Sequence, residues 1–302
     1  MLYNGHKIDK ELIEKMFSAR WASYFQKKSN WRFSCDKMPY FRTDRGNKIY
    51  YEWLENPNAS ETLVFVHGWA ESHRIWREQV DFFKKDYQLL FFDLRGFGLS
   101  SKPTYGYSLK LQAKFLHALI QTLGLKEYWL VGHSLGGMIT LQYSEKYSQE
   151  MIGAVVIDTA YFLPIKISLW RNLGTFFISK TLRQTWQRTL KSSLIGTRRT
   201  LIQDLISDVD AVPLYVSAAY GISVVNFKAR LSSITCPVLI IVGEKDDLTP
   251  VDLSKKMHEK LLNSRLEIVQ DTGHMSFLEK PEEINTIMGQ FFKKRQFASK
   301  KI

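Results

Sequence analysis

The chain has 302 residues, 45% of them hydrophobic and 24% charged, and carries a formal net charge of +12. That is core material for one large domain with an insertion, and it excludes a disordered or fibrous chain. No uninterrupted apolar run reaches membrane-spanning length. Cys35 and Cys236 are too few for a disulfide framework and lack metal-type spacing, so reduced thiols are expected.

In chain order, Leu12, Ile13, Met16 and Phe17 fall at helical spacing and predict a helix over 9–28, an accessory element within segment 1–38. The first residues hold no apolar signal region, so a cytoplasmic protein is expected. Two strands are predicted over 39–54, around the turn Asp44-Arg45-Gly46-Asn47. Thr62–Val66 reads as a buried strand ending in His67-Gly68-Trp69-Ala70. Next come a helix near 74–85, a strand over Gln88–Phe92, a helix near 108–123 and the strand Tyr128–Val131. Strands alternating with helices predict an α/β fold, a mostly parallel doubly wound sheet covered on both faces.

The alternation stops between Asp158 and Cys236. Segment 161–230 shows helical patterns around 165–191, 197–209 and 213–227, with breaks at Pro164 and Pro213, and reads as an inserted helical cap. Strands return at Pro237–Val242 and Leu266–Val269. The core is therefore expected at 39–160 and 231–292, and a basic tail at 293–302.

Residues 132–137, Gly-His-Ser-Leu-Gly-Gly, lie between a strand and a helix, the arrangement of a nucleophile elbow at Ser134. The motif alone is common; its weight comes from partners in the right order downstream. A serine hydroxyl needs a base, and the base an orienting acid. Asp246 lies just past the carboxyl end of one downstream strand and His274 past the next, which gives the order Ser134, Asp246, His274. Asp247 is adjacent to the first acid, and Asp158 ends the strand Ala154–Ile157. Asp158 is expected to bond local backbone, and Asp271 to shape its turn. An oxyanion hole is expected from the Trp69 N–H, with Gly68 allowing close approach, and the Leu135 N–H after the nucleophile.

With His67-Gly68-Trp69, Phe91–Ser100, the serine elbow, Gly243-Glu244-Lys245-Asp246 and Gly273-His274, the chain resembles the α/β-hydrolase family, its esterase-like branch with a helical cap. The likeness spreads over most of residues 40–292. It implies the α/β-hydrolase fold, Asp246 as the triad acid with Asp158 at the place some members use instead, and bracing roles for Asp93 and Arg95. Epoxide hydrolases and haloalkane dehalogenases of this family carry an aspartate where this chain has Ser134, and a serine suits acyl transfer. The expected function is therefore a serine hydrolase cleaving a carboxylic ester, in its sharper form a lipid-like one, with no metal or organic cofactor. A C–C bond hydrolase, a perhydrolase on the same triad, or a hydrolase-fold ligand receptor with slow turnover are the alternatives.

Substrate contacts are expected from the cap at Phe162, Leu163, Trp170 and Trp186, and an apolar acyl group fits such a lining. Segment 161–230 has ten basic residues against Asp204, Asp208 and Asp210, an excess of 10 − 3 = +7. Such a cap suits peripheral contact with an anionic membrane or steering of anionic substrates. No nucleic-acid recognition motif accompanies the charge.

Overall fold

A computed structural model describes residues 2–3, 6–7, 40–164, 184 and 199–294. The chain divides into two compact units, Met1–Tyr40 and Phe41–Ile302. In the first, strand β1 (Leu2–Tyr3) pairs antiparallel with β2 (His6–Lys7). The helix predicted over 9–28 lies outside the described residues.

Eight strands form the main sheet: β3 (Tyr40–Arg42), β4 (Lys48–Leu54), β5 (Thr62–Val66), β6 (Gln88–Phe92), β7 (Tyr128–His133), β8 (Gly153–Ile157), β9 (Val238–Gly243) and β10 (Ser264–Val269). Their order is β10-β9-β8-β7-β5-β6-β4-β3. From β6 to β10 every pairing is parallel, and β4 runs antiparallel to β6. Strands β5, β7, β8 and β9 are buried along their whole length, as expected of continuous apolar runs covered on both faces. The chain leaves β5 for β6 on one side and returns to β7 on the other. The carboxyl ends of β5 and β7 therefore flank a topological switch point, where open α/β sheets place their clefts.

Helices α1 (Arg77–Phe83), α2 (Leu109–Thr122) and α3 (Leu135–Tyr147) alternate with these strands. The helix predicted near 74–85 begins with a 3₁₀ turn, His73–Trp76, before α1. Ser108 caps α2 by accepting the Leu111 N–H at 3.3 Å. After β8 come α4 (Arg199–Asp210) and α5 (Leu214–Val225), then α6 (Val251–Lys260), α7 (Ser276–Glu279) and α8 (Pro281–Lys294). Neighbouring residues of β7 show how the layers form. Trp129 packs on Phe291 and Phe292 of α8, while the Tyr128 hydroxyl meets that of Tyr143 on α3 at 2.7 Å. Adjacent strand residues point to opposite faces, so α3 and α8 cover opposite sides of the sheet.

The segment between β8 and β9 holds α4 and α5 and no strand among its described residues; of the predicted helix over 165–191 only residue 184, which is helical, lies among them. Helix α4 is tied to the turn after β5. Arg74 bonds the Asp208 carboxylate, which also accepts the Ser72 hydroxyl at 2.6 Å, and Arg77 lies 3.3 Å from Asp204. Cys236 is a buried free thiol. No described helix is long and apolar enough to cross a membrane.

Candidate active site

The β7–α3 connection is as tight as its glycines permit. A Cβ on Gly132 would lie 2.5 Å from the Gly136 carbonyl oxygen, and one on Gly136 would lie 2.5 Å from that of His67. Between them Ser134 has φ +50° and ψ −116°, a conformation that costs a non-glycine residue energy and lifts its side chain off the strand. Two bonds hold it there. The Ser134 N–H donates to the Ile157 carbonyl at 3.0 Å, and the Thr159 hydroxyl donates to the Ser134 carbonyl at 2.7 Å.

Ser134 Oγ lies 2.9 Å from His274 Nε2, and His274 Nδ1 lies 2.8 Å from Asp246 Oδ2. These three groups come from residues 28 and 140 positions apart in sequence, brought together past the ends of β7, β9 and β10. Asp246 is buried and faces the histidine, whereas Asp247 is exposed. Asp246 also accepts the Leu248 and Thr249 N–H groups, each at 2.9 Å, and the Thr249 hydroxyl at 2.6 Å. Burial opposes its charge, but the bonds from His274 and Thr249 outweigh that and hold its pKa down at about 2. The acid is ionised at any working pH.

Trp69 and Leu135 stand at matching places. Val66 of β5 pairs with Gly132 of β7, and each residue comes three positions later. Leu135 is the first residue of α3, so its N–H has no acceptor within the helix. Trp69 lies in the turn that carries Ala70 at φ +58°. Phe162 and Leu163 are half-buried just after β8, where Phe162 bridges to Lys228 and packs edge-on against Tyr161. Trp170 and Trp186 lie outside the described residues.

Asp158 departs from expectation. It does not serve local backbone but joins two distant loops, accepting the Gly243 N–H at 2.9 Å and the Ser276 N–H and hydroxyl at 2.9 and 2.7 Å. It thereby holds the strand end before Asp246 to the residues after His274. Burial and the neighbouring Asp246 charge raise its pKa to about 6, against the pull of His274, His133 and Ser276. Asp93, as anticipated, braces its loop: it accepts the His73 and Leu99 N–H groups, each at 2.7 Å.

Sequence reasoning missed a second buried pair. The Glu71 carboxylate accepts the Gly68 N–H at 2.6 Å and lies 3.1 Å from His133 Nδ1, whose ring Nε2 reaches the His274 carbonyl at 2.9 Å. Both residues sit inside segments already singled out, His67–Ala70 with its next residue and the serine elbow, but neither occupies a motif position.

A family model described as the alpha/beta hydrolase fold matches residues 61–176 and 167–281. The chain belongs to the α/β-hydrolase family. The uncharacterized hydrolase YugF of Bacillus subtilis is 27% identical over 261 residues, 82% of this chain and 95% of its own length. The 3-oxoadipate enol-lactonase 2 of Acinetobacter baylyi is 24% identical over 231 residues, 74% of this chain and 85% of its own. Among solved structures, an esterase from Exiguobacterium antarcticum superposes with a TM-score of 0.74 at 22% identity, covering 85% of this chain and 100% of its own. That likeness is one of fold.

Proposed function

We propose that this α/β hydrolase is a serine carboxylic-ester hydrolase that works through an acyl-enzyme. The observation that carries the reading is the unbroken line Ser134 Oγ, His274 Nε2, His274 Nδ1, Asp246 Oδ2, at 2.9 and 2.8 Å. In it, His274 takes the Ser134 proton at Nε2 as Oγ attacks the acyl carbon. The Trp69 and Leu135 N–H groups receive the oxyanion. The alcohol then leaves with the proton from Nε2. Water attacks the acyl-enzyme, again giving its proton to His274, and the acid departs from Ser134. Asp246 remains ionised throughout and stabilises the imidazolium. The relative from Acinetobacter baylyi is an enol-lactonase, and a lactone is a cyclic ester opened by these same steps.

The segment 161–230 serves in this reading as a cap, with Phe162, Leu163, Trp170 and Trp186 against an apolar acyl group. Two of its three acids, Asp204 and Asp208, lie against Arg77 and Arg74 of the core. The segment's ten bases outnumber its acids, an excess that favours peripheral contact of a cytoplasmic enzyme with anionic membrane and lipid-like esters as substrates.

A fluorophosphonate tests the nucleophile: Oγ forms the bond to phosphorus as fluoride leaves. Intact-mass analysis is expected to show one adduct per chain, mapping to Ser134. An adduct elsewhere, or none on folded protein, contradicts the reading.

A further inference from the structure

We infer that the Glu71–His133 pair is a positioning element of the active site, fixing the spacing between the turn that carries the Trp69 N–H and the loop that carries His274. The two side chains are 1% and 0% exposed, and their residues lie 62 positions apart. Glu71 grips its own turn through the Gly68 N–H at 2.6 Å. Across the pair, His133 grips the His274 backbone at its carbonyl oxygen, 2.9 Å away. Oxyanion turn, nucleophile elbow and catalytic histidine are thereby joined on one chain of hydrogen bonds.

The geometry also bears on the protonation state. The His274 carbonyl can only accept, so His133 Nε2 donates to it, and with Glu71 as a carboxylate Nδ1 donates as well. Burial alone would push the His133 pKa down, but the Glu71 charge and hydrogen bond, with Asp158 and the His274 carbonyl, raise it to about 9. A buried ion pair is a poor source of stability, since apolar side chains of like volume do as well or better. Its value here is geometric: it defines one distance between two groups that must meet the same substrate atom cluster. Misplacement by about 1 Å costs on the order of 100-fold in rate.

The kinetic arm of the test rests on the ester-hydrolase reading; the spectroscopic arm does not. Full-length wild type, Glu71→Ala and Glu71→Gln are compared on p-nitrophenyl butyrate, with thermal melts to establish folding. Glu71→Ala is expected to lose about 100-fold in kcat with KM within about twofold, a loss confined to the transition state. Glu71→Gln is expected to recover most of it, because the amide oxygen accepts from Gly68 and the amide N–H₂ donates to a neutral His133. Folded Glu71→Ala with wild-type kcat, a loss in KM alone, or a Gln variant no better than Ala overturns the inference. In ¹⁵N-resolved NMR at pH 7.5, His133 of the wild type is expected to carry two exchange-protected ring protons, and one in Glu71→Gln. A singly protonated wild-type His133 overturns it as well. Should wild type show no Ser134-dependent turnover, the ester reading fails and NMR decides the pair alone.

Discussion

Gly136 stands against Val66 so closely that a Cβ on it would lie 2.1 Å from the Val66 carbonyl oxygen. This contact seats the first turn of α3 on the end of β5, and so brings the Leu135 N–H beside the turn that holds Trp69. Backbone cannot yield as a flexible side chain can. Gly136→Ala is therefore expected to cost about 1–3 kcal/mol or more in urea unfolding and to remove most turnover. An alanine variant with an unchanged unfolding midpoint and rate contradicts this account of the elbow.

The two adjacent acids after β9 separate cleanly. Asp246→Asn is expected to lower kcat by about 10³–10⁴-fold, because the amide favours the wrong histidine tautomer. Thr249→Val, which removes the hydroxyl bonded to Asp246 Oδ2 at 2.6 Å, is expected to cost about tenfold, in keeping with one hydrogen bond to a charged group. Asp247→Asn, at an exposed position, is expected to leave kcat unchanged. Steady-state kinetics on one ester compares all three.

Asp208 and Arg74 dock α4 beside the turn after β5, both nearly buried. Asp208→Ala removes a buried carboxylate bonded to Arg74, leaving Asp204 at 3.9 Å from it, and is expected to destabilise the fold by about 1–3 kcal/mol. The double variant Asp208→Ala/Arg74→Met is expected to recover most of that. Denaturant unfolding of the two singles and the double measures the coupling, and additive losses would contradict a shared ion pair.

His133 supplies a pH dependence of stability. Its folded-state pKa is raised to about 9 from an ordinary value of 6.5. A group raised on folding contributes stability that is fully present below the unfolded value and lost as pH rises through the folded one. The thermal midpoint of the wild type is expected to fall between pH 6.5 and 9 more steeply than that of Glu71→Gln, in which the pair carries no charge. Parallel slopes in the two proteins would contradict the assignment.

What the sequence made legible was what lies on short, patterned stretches. Leu63–Val66 and Val238–Val242 are unbroken apolar runs, and buried parallel strands are the outcome. Ser134, Asp246 and His274 could be singled out because each comes soon after such a run or a short strand. Strand β10 begins two residues earlier than predicted, because Ser264 and Arg265 sit half-exposed and give no apolar signal. The ties that span the molecule were not legible. Glu71 with His133, Asp158 with Ser276, and Arg74 with Asp208 are separated by 62, 118 and 134 positions, and no periodicity links residues across such distances. A polar residue inside an apolar segment signals that a partner exists, but only the fold says which.

Every step proposed for this site depends on Ser134 being an acyl nucleophile. Hydrolysis of p-nitrophenyl esters from acetate to palmitate, by wild type and by Ser134→Ala of equal thermal stability, tests it most directly. Wild type is expected to turn over with an optimum chain length, and the alanine variant to lose nearly all of that turnover. Turnover that survives in folded Ser134→Ala would contradict it.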